Sequence, residues 1–234
     1  MDGGIFDCSG ITNGIEIASG RETTIRNCSI KNAVVGIHVL KGANSGSSDA
    51  DMADLNIIGN DKTDSVGILV EGNDNTFSNI RISHATVGVF MKACGNSLID
   101  ISAVYSFENE AYPDSYGFYD SWDDNFYYHC TSEQFRVGFY FGNASPSSLF
   151  LCEARWTSPL GGEQIAMKCA GKFNSVVTSF RVKFSSSTFA KNKLVDAGGS
   201  AGKGYITDVS GSVKNLPEDN AGREYVRGGF FDDE

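Results

Sequence analysis

The chain repeats a glycine-centred phrase, and this repeat restricts the possible folds more than any other feature. NGIEIASG, VGIHVLKG, VGILVEGN, VGVFMKAC, YGFYDSWD and VGFYFGNA open alike, with first glycines at Gly14, Gly36, Gly67, Gly88, Gly117 and Gly138. A second phrase follows in nearly every unit, as TTIRNCSI, NTFSNIRI, NSLIDISA, NFYYHCTS and SSLFLCEA. EQIAMKCAGKFNSVVTSF keeps the same order in a more divergent seventh unit. The glycines are spaced by 22, 31, 21, 29 and 21 residues, so a basic period near 21 is enlarged twice, at loops 43–52 and 106–113. Both phrases alternate as strands do and neither resembles an amphipathic helix, so leucine-rich and helical solenoids do not supply the second half of the unit. The repeat predicts an all-β solenoid, a parallel β-helix of eight to nine turns in which each turn buries its inward side chains against its neighbours.

Alternation assigns the sides. Ile37, Ile68, Val89, Phe118 and Phe139 form one inward column, and Val39, Val70, Met91, Asp120 and Phe141 form the next. In the second phrase Ile25, Phe77, Leu98, Tyr127, Leu149 and Phe173 align, as do Cys28, Ile80, Ile101, Cys130, Cys152 and Val176. The glycine column is expected to mark a corner conformation closed to bulkier residues. Cys130 and Cys152 fall on successive turns, roughly 4.8 Å apart by parallel pairing, where stacked thiols are favoured over a disulfide. The helix is read over 1–184, final turns over 185–213, and a cap or tail over 214–234.

The outward position of the first phrase runs Glu16, His38, Leu69, Phe90, Tyr119 and Tyr140, an aromatic ladder on a face that normally carries polar residues. Such a ladder covers another subunit, a long loop or a sugar chain, with subunit packing favoured. In the second phrase one outward column runs Asn27, Asn79, Asp100, His129, Leu151 and Ser175, and its neighbour Ser29, Arg81, Ser102, Thr131, Glu153 and Val177.

Chemistry concentrates in GFYDSWDDNFYYHCTSE and the turn after it. Asp120, Asp123 and Asp124 can supply the paired carboxyls of glycoside hydrolysis, with Glu108, Glu110 and Asp114 approaching from the preceding insertion. A lyase instead needs a base and a cation beside the sugar carboxylate, parts open to a tyrosine, His129, Arg136 or Arg155. His129 and Glu153 complete the candidate catalytic set, and Tyr119, Trp122, Arg155 and Trp156 the candidate sugar-binding set. Each has a plainer reading: Asp120 caps corner amides, Asp123 and Asp124 are turn residues before Asn125, His129 is a surface side chain, and the tryptophans cover neighbouring side chains or an oligomer interface.

Nineteen Lys and Arg against 29 Asp and Glu give a formal charge of −10 without a dense basic patch, which argues against a nucleic-acid partner. No apolar run of membrane-spanning length occurs, and MDGGIFDCSG has the form of neither a signal peptide nor a membrane span. The six cysteines lack CxxC spacing, DSWDDN lacks the spacing of a calcium loop, and GKG at 202–204 lacks the setting of a phosphate loop, so neither metal nor cofactor is expected.

The VGIxV…GNxNxFSNIxI rhythm resembles the pectin-lyase-like right-handed parallel β-helix superfamily, especially bacterial carbohydrate enzymes and phage tail spikes, over about residues 3–180. Within the hydrolytic polygalacturonase branch, Asp123–Asp124 is similar to that group's aspartate pair. No Asn-x-Asp phrase precedes the pair, His129 is followed by Cys130 where that branch has glycine, and Arg181–Lys183 gives the letters RVK at a larger separation. The resemblance implies a polysaccharide partner, a homo-oligomer with a trimer favoured, and an extracellular or virion-associated setting. The function expected is recognition of a bacterial or plant polysaccharide, with or without its cleavage by hydrolysis or elimination. A non-catalytic receptor-binding or structural trimer and a surface adhesin are the competing classes.

Overall fold

Two parallel sheets are wound from one alternating path. The computed structural model describes residues 1–18, 22–41, 49–106, 114–142, 147–157, 163–170, 175–184, 193–197, 205–210 and 226–229. The first phrase of each unit forms a five-residue strand, and these stack into an eight-stranded sheet: Asn13–Ile17, Val35–Val39, Val66–Val70, Val87–Met91, Tyr116–Asp120, Val137–Phe141, Ile165–Cys169 and Lys193–Ala197. The second phrase forms the long-strand sheet. It begins with Asp2–Asp7, Thr24–Lys31, Asp51–Ile58, Thr76–Ser83 and Ser97–Val104. From the fifth turn each long strand splits in two, as Phe126–Tyr128 with Thr131–Glu133, Ser148–Phe150 with Glu153–Trp156, and Val176–Thr178 with Arg181–Phe184. Tyr205–Val209 and Val226–Gly229 extend this sheet in the C-terminal part. The described strand pairings are parallel, so the chain is a parallel β-solenoid. No helix among the described residues is long and apolar enough to cross a membrane.

The core lies between the sheets and follows the alternation. Ile37, Ile68, Val89, Phe118 and Phe139 stack in register and are buried. Phe118 and Phe139 stack with ring centroids 4.8 Å apart. Phe77, Leu98, Tyr127 and Leu149 form the facing column. Its next member is Val177, whereas Phe173 lies outside the described residues. The same four-residue slip moves Phe180 into the Cys152 column in place of Val176, Ser179 into the Leu151 column in place of Ser175, and Arg181 beside Glu153 in place of Val177. Among the described residues of this segment, 175–180, Val177 and Phe180 bury large apolar side chains inward, and burial sets the register.

The expected insertion at 43–52 is shorter than the sequence pattern suggested. Asp51–Ile58 is a full strand, with Met52, Leu55 and Ile57 inward. It lacks an opening Asn but keeps the spacing of a second phrase.

The glycine column has a different cause from the one expected. None of its six members has a positive φ. They are small because successive turns approach too closely for a side chain. A Cβ on Gly67 would lie 2.5 Å from the carbonyl oxygen of Gly88 and 2.4 Å from Cγ2 of Ile82, and one on Gly36 would lie 2.6 Å from the carbonyl oxygen of Gly67. Positive φ instead falls in the middle of each long strand, at Asn27, Asp54, Asn79, Asp100, His129, Leu151 and Ser179, with φ from 50 to 57°. Asn and Asp tolerate this left-handed conformation best.

Candidate functional site

One of the three aspartates in the candidate catalytic set, Asp120, is part of the core. Asp120 ends the strand Tyr116–Asp120 and is 1% exposed. It accepts hydrogen bonds from Ser147 Oγ at 2.7 Å, Tyr127 OH at 2.9 Å, the Trp122 backbone N–H at 3.1 Å and Asn125 Nδ2 at 3.1 Å. Burial pushes its pKa up, and these four donors only partly offset that. The carboxyl terminates a buried asparagine ladder. Asn75 donates from both its backbone N–H and Nδ2 to Asn96 Oδ1, at 3.0 and 2.9 Å, and Asn96 does the same to Asn125 Oδ1, at 3.1 and 3.2 Å. Asp120 therefore has the capping role that was its plainer reading, and it caps a ladder whose asparagines open the NTFSNIRI, NSLIDISA and NFYYHCTS phrases.

The remaining residues of the candidate set are distributed over several surfaces. Trp122 is 51% exposed at the turn that follows Asp120. Asp123 is half-buried, and Asp124 is exposed with φ 55°. The Asp123 charge adds to burial in raising the Cys94 thiol. His129 projects outward from the left-handed bend, with Nδ1 2.5 Å from Asp100 Oδ1 on the turn before. Glu153 is half-buried between Thr131 and Arg181 in the outward column. Arg155 is held by Glu133 through Nε at 3.1 Å and Nη2 at 2.7 Å. Arg136 donates from Nη1 to the Glu163 carbonyl at 3.0 Å. Trp156 is fully inside, its indole N–H donating to the Phe135 carbonyl at 2.6 Å, so its ring offers no wall to a ligand. Glu108 and Glu110 lie outside the described residues, and Asp114 is exposed.

The aromatic ladder of the short-strand sheet has the expected register, Glu16, His38, Leu69, Phe90, Tyr119 and Tyr140. Its rings largely cover one another: Phe90 stacks on Tyr119 at 4.5 Å, Tyr119 meets Tyr140 edge-on at 4.5 Å, and Tyr116 packs against both tyrosines. Burial raises the Tyr116 phenol to about 12. At the N-terminal end of this face, burial pushes Glu71 up, but hydrogen bonds from Lys92 and His38 outweigh it and leave the carboxyl below its ordinary value. All six cysteines are free, and Cys130 and Cys152 are stacked buried thiols that donate to strand carbonyls.

The outer face of the long-strand sheet changes character along its length. At turns one to three a shallow cleft of about 430 Å³ follows the left-handed bend, lined by Asn27, Ser29, Asp54, Asn56, Asn79 and Arg81. Asn27 donates to Asp2 and Asn79 to Asp54, each at 2.7 Å, whereas Arg81 is exposed and makes no ion pair among the described residues. At turns five and six the same face becomes apolar. Phe126, Phe150 and Leu151 are 40, 39 and 41% exposed. Tyr128 lies between the two phenylalanines, 6.4 Å from Phe126 and 5.8 Å from Phe150, with interplanar angles of 19 and 10°. Leu151 occupies the left-handed position, with φ 54°, that Asn or Asp fills in the first four turns. Leu151 falls in an outward column as expected, whereas the three rings escape a reading based on inward columns. Their sequence signal is the break in alternation, since FYY at 126–128 and LFL at 149–151 are unbroken apolar runs.

No family model matches the chain, and no curated relative or similar solved structure is found for it.

Proposed function

We propose that the outer face of the long-strand sheet binds a polysaccharide lying along the solenoid axis. The observation that carries this reading is the cluster of exposed Phe126, Phe150 and Leu151 around half-buried Tyr128, more apolar than the same face in the earlier turns and carrying a left-handed leucine. Exposed apolar area of this kind marks a contact surface, and a residue kept in an unfavourable conformation fits a functional position better than a structural one. Sugar rings supply a matching partner, with C–H faces for the aromatic side chains and hydroxyls for the amides and Arg81 of the cleft. Successive turns place like side chains roughly 4.8 Å apart, a regular row of contacts for an extended chain. Binding without cleavage is the form of the reading that the geometry favours, because Asp120 serves the core and is not open to a ligand.

The test is a panel of capsular, plant and algal polysaccharides assayed by affinity electrophoresis, with reducing ends and absorbance of unsaturated products followed in the same samples. Retardation by one polysaccharide that is lost in a Phe126→Ser, Tyr128→Ser, Phe150→Thr variant is expected. Retardation that persists in this variant would reject the face. Turnover abolished by Asp123→Asn or Asp124→Asn, with folding intact, would add a catalytic role at the exposed aspartates. Assembly is a separate proposal: copies pack through the Phe90–Tyr119–Tyr140 ladder, and a monomeric native mass, or a trimer indifferent to Phe90→Glu, would reject it.

A further inference from the structure

A second concave site lies at a different corner of the solenoid. The connection from a long strand to the next short strand takes three residues at 32–34 and again at 84–86, but seven at 59–65 between them. The longer connection overhangs the corner below it and is pinned from the turn above. Ser65 Oγ and Thr86 Oγ1 both donate to the Lys62 carbonyl, at 2.7 and 2.8 Å, the Asp61 N–H donates to the His84 carbonyl, and His84 Nδ1 lies 2.7 Å from Asp61 Oδ1. Close packing fixes its start, since a Cβ on Gly59 would lie 2.0 Å from the His84 carbonyl oxygen. The opposite wall is also fixed: Ser9 donates to Asp7 from both N–H and Oγ, and Asn32 Nδ2 bridges Asp7 and Ser9.

Between these walls is a cleft of about 460 Å³. Its apolar surface comes from Val34 and Ile11, the latter 53% exposed. Around it stand the Thr12 hydroxyl, the Asn60 amide, the Asp61 carboxylate and the Lys62 ammonium, which makes no ion pair among the described residues. Donors and acceptors of both charge signs beside a small apolar surface do not select an anion or a cation. They suit a ring with an apolar face and a rim of neutral hydroxyls, in a concave, pre-formed site with few polar groups.

We infer that this cleft binds a single neutral saccharide unit, separately from the sheet face proposed above. Val34 and Ile11 pack against the C–H face of the ring, Asn60 and Lys62 donate to its hydroxyl oxygens, and Asp61 accepts from a neighbouring hydroxyl.

The experiment is a ¹H–¹⁵N NMR titration of the full chain with methyl glycosides of glucose, galactose, mannose and N-acetylglucosamine, and in parallel with glucuronate. At least one neutral glycoside is expected to give saturable shifts at the amides of Ile11, Val34, Asn60 and Lys62, with affinity in the millimolar range. Lys62→Ala, at an exposed position whose side chain holds no neighbour, is expected to weaken that binding about tenfold with an otherwise unchanged spectrum. Ile11→Ser provides a second variant, directed at the apolar contact, and should also weaken binding. Absence of saturable shifts with every neutral glycoside, binding of glucuronate alone, or unchanged affinity in both variants would overturn the assignment. Shifts confined to residues 126–151 would overturn it too while supporting the sheet-face reading, so the two proposals fail separately.

Discussion

Turns two to four and turns five to six wind in one parallel register but differ in the side chains on the outer face. In the earlier turns the left-handed bend holds Asp54, Asn79 and Asp100, and the outward position just before it is Ala53, Ser78 or Ile99. In the later turns the bend holds His129 and Leu151, and the preceding outward position holds aromatic rings, Tyr128 and Phe150. The parallel register continues across the change. The outer side chains are therefore not fixed by the winding, and their change is the ground on which the proposed ligand face rests. The inner face reverses this logic: its polar side chains, Asn75, Asn96, Asn125 and Asp120, are buried and hydrogen-bonded, and the winding depends on them.

The largest effect that would sharpen this comparison lies inside. Replacing Asn96 by Leu removes the acceptor of the Asn75 backbone N–H and the amide that donates to the Cys94 carbonyl and to Asn125 Oδ1, all within a buried site. Leaving those groups unpaired should cost about 3 kcal/mol in chemical denaturation, with polysaccharide retardation of the folded fraction unchanged. A loss under about 1 kcal/mol would show that the ladder is dispensable.

Asp120 gives the ladder a pH signature. In the unfolded chain this carboxyl ionises near its ordinary value of 3.8, whereas burial holds the proton to higher pH in the folded chain. Between those two values the folded state binds more protons, so the contribution of Asp120 to stability falls as pH rises through the window and is level above it. Denaturation midpoints of the wild type and Asp120→Asn, compared from acid to neutral pH, should differ by an amount that changes in that window. A constant difference would refute the raised proton affinity.

Much of the winding could be read from the sequence, because each turn must bury the same columns and therefore repeats the same residue types. Ile37, Ile68, Val89, Phe118 and Phe139 are interchangeable apolar groups at one register position, and alternation alone finds them. Two things were not legible. The divergent segment FNSVVTSF offers two apolar registers four residues apart, and only the packing of Val177 and Phe180 selects between them. Asp120, Trp156 and Arg155 carry the residue types of an active site, but residue type does not reveal that two of them are buried and the third is held by Glu133. The outward rings are hidden for the converse reason, since an apolar residue in a strand is expected to face inward.

Exchanging the outer chemistry of turns five and six for that of the earlier turns tests the comparison from outside. The Phe126→Ser, Tyr128→Ser, Phe150→Thr variant should lower stability by about 1–2 kcal/mol, because these rings lie on the outer face and contribute nothing to the core between the sheets, yet weaken polysaccharide retardation by at least about tenfold. Loss of folding in this variant would make the rings structural and remove the contrast between the faces.

Leu151 offers the smallest effect and separates strain from function at one residue. A leucine in the left-handed region costs roughly 1–2 kcal/mol relative to its usual conformations, and Asn accommodates that region more easily. Leu151 is 41% exposed, so little buried apolar area is lost on replacement. Leu151→Asn should therefore raise stability by about 0.5–1 kcal/mol, restoring the residue type of the first four turns at this bend. If the exposed leucine contributes to the ligand face, the same change should weaken binding two- to threefold, opposite in sign to its effect on stability. A variant that gains stability and keeps full binding would leave the left-handed leucine without a role in recognition, and the proposed face would rest on the three aromatic rings alone.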